Sequence, residues 1–280
     1  MSIRSHVAVV EGAPPQIEVR NPAGLVSVTA VEGAEEVQVQ VEALDDAAEQ
    51  WLDRVEIDVR AAEPDQGDSP TRLRVAVPER RLFRAPIFAV RITTPPGAAA
   101  RIAVASADTD LVGRFGALEL TGASGDLTAE HGTDVHLRTA SGTARIGTVE
   151  GRATLASASG DVHVGRAGGP VEIRTASGDA TIETCSDTVT VHTASGDVRV
   201  GAATGGAVEA KTASGDVTVG VVAGLRVWLD LSSVSGRMDS QLADDGPEID
   251  GPAALTLTMR SMSGLMRVHR AATVPPSAMV

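Results

Sequence analysis

The residues with the most chemistry to offer are aspartates set at regular intervals. Asp126, Asp161, Asp179, Asp197 and Asp216 each follow a Ser-Gly pair, and Thr143 holds the same place after Ser141-Gly142. If successive copies stack, neighbouring carboxylates lie about 5 Å apart, near the separation of a retaining glycosidase pair. Such a pair needs one acid with a raised pKa in an enclosed site. A uniform ladder at a turn has no asymmetry to create one. Two like charges at that distance repel by about 1 kcal/mol in water. The carboxylates must therefore splay, accept backbone N–H groups as Asx turns do, or attract cations. Turn capping is the expected role, with Asp161, Asp179, Asp197 and Asp216 as weak cation candidates; the calcium-binding repeat GGxGxD is absent.

Two outward columns are basic. Arg138, Arg174, His192 and Lys211 lie three residues before a repeat Ser, with Ala156 interrupting; Arg145, His163, Thr181 and Arg199 lie four after. They fit charge compensation along stacked strands or a docking face for an acidic partner. A separate basic stretch, residues 78–86, groups Arg80, Arg81 and Arg84 around Phe83 and reads as a solvated excursion or a docking loop. His6, His131, His136, His163, His192 and His269 fall at unrelated repeat positions, so no metal site is expected. Cys185 sits in a turn without a Cys-His-Asp arrangement and reads as a spectator thiol. No G-x-S-x-G elbow occurs, and the glycines of residues 165–169 lack the GK[ST] of a phosphate loop. No catalytic residue, cofactor or resident metal is expected.

Composition narrows the classes further. The chain has 280 residues, a net charge of −13, three Phe, two Trp and no Tyr. Aromatic platforms for glycans or single-stranded nucleic acid are disfavoured; the acidity disfavours phosphate backbones and anionic lipid surfaces. One Cys excludes an intrachain disulfide framework. No window reaches 18 uninterrupted apolar residues, and the apolar run near the start is too short for a signal sequence. The expectation is a cytoplasmic chain that meets a membrane only through a partner.

What must position these columns is a repeat. Ser-Gly recurs at Ser124, Ser141, Ser159, Ser177, Ser195, Ser214, Ser235 and Ser263, at intervals of 17, 18, 18, 18, 19, 21 and 28 residues; Ser106-Ala107-Asp108 is a degenerate earlier copy. Within each unit apolar residues alternate with polar ones, the period of strands. The positions six and four before each Ser, and three and five after, are apolar from copy to copy, as in Val171, Ile173, Ala180 and Ile182. One unit cannot bury that face alone, whereas stacked units form a continuous core. The expected fold is all-β: a parallel β-solenoid of about 18-residue turns. A Thr or Ser two before each Ser is expected to stack between turns, and the Gly after Ser to take a positive φ.

Residues 1–104 lack the beat but alternate as strands around 16–19, 25–29, 37–41, 55–59, 73–77 and 89–93, with a short helix near 47–52 capped by Asp45 or Asp46. The organisation read from sequence is thus a β-rich portion 1–104, a repeat solenoid 105–270 and a flexible tail 271–280. An insertion at 241–252 stretches the last interval. Solenoid ends expose strand edges. The Trp51 helix and the insertion are expected to cover them, and incomplete cover leads to end-to-end self-association.

The repeated TASGD(V/A) of Thr175–Ala180, Thr193–Val198 and Thr212–Val217, with Gly24-Leu-Val-Ser-Val and Val90-Arg-Ile-Thr-Thr-Pro-Pro upstream, resembles the bacterial β-strand-repeat adhesin-like family also called toastrack. The likeness covers about residues 17–268. It implies a single-stranded-coil β fold, no enzyme activity and, in many relatives, membrane-anchored partners of envelope-stress systems. It supplies no catalytic residues. The function expected is a non-enzymatic scaffold presenting faces or ends to protein partners. The alternatives are a glycan-binding or polysaccharide-active β-helix and a self-polymerising cytoskeletal element.

Overall fold

The computed structural model describes residues 2–10, 12–60, 70–78, 85–242 and 253–271. Apart from one short helix and a 3-10 turn, all its elements are strands, and most neighbours run parallel in register. They fall into two compact units, Met1–Gly147 and Thr148–Val280.

The first unit holds β1 (Ile3–Val9), β2 (Gln16–Asn21), β3 (Gly24–Ala30), β4 (Glu36–Ala43), α1 (Asp46–Glu49), a 3-10 turn (Leu52–Arg54), β5 (Glu56–Arg60), β6 (Arg72–Ala76), β7 (Phe88–Thr94), β8 (Ala99–Val104), β9 (Asp108–Thr121) and β10 (Leu127–Thr139). One wall runs β5–β6–β2–β8 and on to the second half of β9; the other runs β1–β4–β7–β3 and on to its first half. Pairs β1–β4, β4–β7 and β5–β6 are antiparallel, which accounts for the missing Ser-Gly beat. Alternation still decides what is inside: Ile17, Val19, Val26, Val28, Leu73, Val75, Val90 and Ile92 are all buried. The helix is shorter than the sequence suggests. Asp45 caps it, its Oδ1 accepting the Ala48 N–H at 2.7 Å. Ala48, Leu52 and Val55 are buried where the chain crosses from β4 to β5, and the Arg54 guanidinium lies 4.5 Å from the Trp51 ring centroid.

β11 (Ala144–Val149) straddles the division between the units. The second unit continues with β12 (Ala153–Ser157), β13 (Val162–Ala167), β14 (Val171–Thr175), β15 (Ala180–Cys185), β16 (Val189–Thr193), β17 (Val198–Ala203), β18 (Gly206–Ser214), β19 (Val217–Val221), β20 (Val227–Ser233), β21 (Arg237–Ser240), β22 (Leu255–Ser263) and β23 (Leu265–Arg270). Even-numbered strands from β12 make one wall, odd-numbered strands from β13 the other. The predicted apolar columns face inward. Val162, Ile173 and Val191, for example, are fully enclosed. Leu229, Leu231 and Met238 are the exceptions: the first two are half-buried and Met238 is exposed.

Their exposure follows from stacking that departs from chain order. β22 and β23 lie between β18/β19 and β20/β21, so the Ser263 copy rests on the Ser214 copy and the Ser235 copy rests on Ser263. The first unit does the same with its opening turn: β2/β3 lies between β6/β7 and β8/β9. The expectation that every copy sits on its predecessor is corrected for these turns. The long last interval spans a return inward past one rung. Residues 243–252 of that interval, where the end cover is expected, lie outside the described residues, as does the tail from 272.

The reason for glycine after serine also differs from the expectation. Among these glycines only Gly264 has a positive φ. At Gly125, Gly142, Gly178, Gly196 and Gly215 a Cβ would collide with a carbonyl of the preceding turn, 2.1 Å from Gly160 O at Gly178 and 2.0 Å from Gly178 O at Gly196. Gly196→Ala is therefore expected to destabilise the fold by about 1–3 kcal/mol, the usual range for overpacking. Urea denaturation of the variant beside the parent checks this, and an unchanged midpoint contradicts it.

Candidate functional site

The corner where each unit turns can be accounted for atom by atom. Thr175 Oγ1 accepts the Gly178 N–H at 3.0 Å, and Thr193 Oγ1 accepts that of Gly196 at 3.0 Å; Ser157 and Ser233 do the same for Gly160 and Gly236. These hydroxyls cap their own turn, a role the constant spacing to Gly encodes, while the residues also stack in register across turns, Ser157 on Thr175 and Thr175 on Thr193; Thr212 Oγ1 donates to Gly196 O of the turn before at 3.5 Å. The Ser195 N–H donates to Ala176 O at 3.0 Å in the turn before. The Gly leaves room for that turn's backbone. Asp179 Oδ1 accepts the Asp197 N–H at 2.8 Å, and Asp179 N–H donates to Asp161 Oδ1 at 2.9 Å. The ladder continues from Asp197 to Asp216 and from Asp216 to the Leu265 N–H, each 2.8 Å. In the first unit it runs from Asp108 through Asp126 to the Thr143 N–H. The Ser106 copy is thus a working rung, and Thr143 ends that ladder because its side chain offers no carboxylate.

These bonds explain how like charges tolerate a stack. Each Asp from 161 to 216 accepts a backbone N–H with one oxygen, a charge-assisted bond. The side chains remain exposed. Among the described residues no three His, Cys, Asp or Glu side chains gather as a metal-binding group.

The basic column is a straight row in the second unit, because Arg174, His192, Lys211 and Arg260 are successive register partners. Arg260 belongs to it through the out-of-order strand β22, which sequence spacing conceals. Arg174 Nε donates to Glu172 Oε1 at 2.7 Å. Lys211 pairs with Glu209 and Arg260 with Asp230. The hydrogen bond and charge of Lys211, with smaller help from His192 and Arg260, hold the Glu209 carboxyl below its ordinary pKa. Arg138 lies in the first unit, opposite Thr121. Of the second column, His163 Nε2 lies 3.2 Å from Glu183 and Arg199 lies between Thr181 and Thr218. Arg80, Arg81, Phe83 and Arg84 lie outside the described residues. Cys185 is buried, and desolvation pushes its pKa up to about 12.

A family model described as Toastrack DUF4097 matches residues 16–264. The chain belongs to the toastrack family. Its span is shared by solved structures of adhesin-like proteins. That from Bacteroides fragilis NCTC 9343 is 12% identical, with 95% of this chain and 97% of that one covered and a TM-score of 0.42. That from Parabacteroides distasonis ATCC 8503 is 13% identical over 95% and 97%, TM-score 0.42. A third, from Parabacteroides merdae ATCC 43184, is 11% identical over 95% of both, TM-score 0.40. No curated protein matches. Among the described residues no helix is long and apolar enough to cross a membrane. The candidate site of this toastrack chain is a regular surface, a ladder of turn-capping carboxylates beside a row of basic side chains.

Asp179→Ala removes the acceptor for the Asp197 N–H and is expected to lower stability by about 1 kcal/mol, with Asp179→Asn retaining most of it; urea midpoints of the two variants check this. The Cys185 thiol is expected to resist maleimide in the folded protein and to react at once in guanidinium, as followed by mass spectrometry.

Proposed function

We propose that this toastrack chain works as a scaffold that docks acidic protein segments along the wall carrying Arg174, His192, Lys211 and Arg260. The observation that carries the reading is the in-register row itself, one basic residue on each of four successive rungs. Neighbouring carboxylates order three of the heads without covering them: Arg174, Lys211 and Arg260 keep 69%, 41% and 60% of their side-chain surface exposed. A guanidinium has five N–H donors, so an arginine bound to one carboxylate retains donors for a second. Rungs lie about 4.8 Å apart, so a ligand running along the stack meets a new cation at each step. The proposal includes the cytoplasmic location expected from the sequence and a membrane-anchored partner of the kind the family resemblance implies; cell fractionation with and without the partner's membrane tests that part.

The docking reading is tested with a labelled oligoglutamate peptide. The parent is expected to bind it in a salt-sensitive way, and the triple variant R174Q/K211Q/R260Q to bind about tenfold more weakly or worse with little change in melting temperature. Equal binding by the triple variant overturns the reading. So does binding to a polysaccharide panel with none to the peptide, which revives the glycan alternative.

A further inference from the structure

The free edge of β1 is built differently from the other free edges among the described residues. β5 carries Glu56, Asp58 and Arg60; β20 and β21 carry Asp230, Arg237 and Asp239. Charges of that kind guard an edge against pairing. β1 reads Ile-Arg-Ser-His-Val-Ala-Val, without Pro, Gly or acid. It is also turned inside out. Arg4, His6 and Ala8 stand opposite Val41, Val39 and Val37 on the core face of β4, while Ile3, Val7 and Val9 stand opposite Glu42, Gln38 and Glu36 on the outer face. Those three aliphatic residues are 59%, 53% and 58% exposed.

The hydrogen bonds fix which backbone groups point outward. Ala43 N–H donates to Ser2 O and Val10 N–H to Glu35 O, so with the observed register the even-numbered residues of β1 are the ones bonded to β4. The N–H and C=O groups of Ile3, Ser5, Val7 and Val9 therefore face away from β4. We propose that a second copy of this chain occupies that edge, its β1 running antiparallel to the first across a two-fold axis at His6. In this register Ile3 meets Val9 of the other copy and Ser5 meets Val7, all four as hydrogen-bonded pairs, while Arg4 meets Ala8 and His6 meets His6 as non-hydrogen-bonded pairs. No other register that uses the outward groups pairs all seven residues. The self-match is also one of charge. Although the chain carries −13 overall, β1 contributes only Arg4 and His6 as ionisable side chains, so no carboxylate of one strand meets a carboxylate of the other. The outer face joins Ile3 of each copy to Val9 of its mate, so aliphatic surface is covered twice by one symmetric contact. Seven residues a side is a small interface, so the dimer forms in a concentration-dependent way. This pairing is separate from the basic-wall reading and stands or falls without it.

Two measurements test it on the full-length, untagged chain. Sedimentation equilibrium is expected to show a monomer–dimer equilibrium that Ser5→Pro weakens by more than tenfold with an unchanged melting temperature, because the Ser5 N–H points away from β4 and Pro at a free edge removes only an outward donor. His6→Cys is expected to form a disulfide-linked dimer on mild oxidation, since directly opposed non-hydrogen-bonded residues lie about 4.5 Å apart at Cα. Val7→Cys, facing Ser5 of the other copy, is expected not to, and the buried Cys185 does not compete. The proposal is overturned by a monomeric parent at hundreds of micromolar, by a dimer that survives Ser5→Pro, or by equal crosslinking of the His6→Cys and Val7→Cys variants. A monomeric parent that takes an extended peptide from another protein onto β1 overturns it as well.

Discussion

At the repeat corners of Gly125, Gly142, Gly178, Gly196 and Gly215 the backbone of one turn lies against a carbonyl of the turn before, at a distance that admits no side chain. That closeness governs much else in the structure. It demands Gly where a Cβ would sit about 2 Å from Gly160 O or Gly178 O. It brings the Ser195 N–H within reach of Ala176 O, and the Asp197 N–H within reach of Asp179 Oδ1. It sets the spacing at which Val171, Val189 and Val208 merge into one inward column. An interior assembled at that pitch is narrow and takes small branched side chains, so a chain with five aromatic residues fills it.

The division of labour between corner and wall follows. Corner polar groups bond the backbone, which gives the stack its register. Wall charges bond one another, as in Arg174 with Glu172 and Lys211 with Glu209, and these surface pairs add little stability. Composition on the walls is accordingly free to vary for recognition while the corner motif stays constant from copy to copy.

The solenoid was legible because its period is written in Ser-Gly and its faces in alternation; the inward placing of Ile173 and Val191 needed no more than that. Strands β2 to β7 of the first unit were readable one by one, yet β1 and β8 were not among them; the apolar residues of β1 face outward and belong to no core. Local turn logic suggests a positive φ for the repeat Gly, whereas Gly178 and Gly196 answer to a carbonyl one turn away; the Thr column stacks between turns as its recurrence implies, and its hydroxyl also accepts an N–H three residues on, which recurrence alone does not reveal. Stacking order was out of reach for a different cause. The copies at Ser214, Ser235 and Ser263 share the same columns, so any order among them buries similar side chains, and the decision lies in long-range pairing that local pattern does not record. The membership of Arg260 in the basic row was hidden for the same reason.

Both out-of-order turns have a consequence for how the chain is made and unmade. A ribosome releases β20 and β21 before β22 and β23 exist, so the nascent solenoid either holds its rim vacant or closes prematurely and must reopen to admit the last segment made. Once admitted, that segment is clamped from above and below. The opening turn is clamped likewise between β6/β7 and β8/β9. Neither of these turns can peel away alone as an outermost rung would; on the β20/β21 side, unravelling has to begin with a segment whose two flanks are both still tethered.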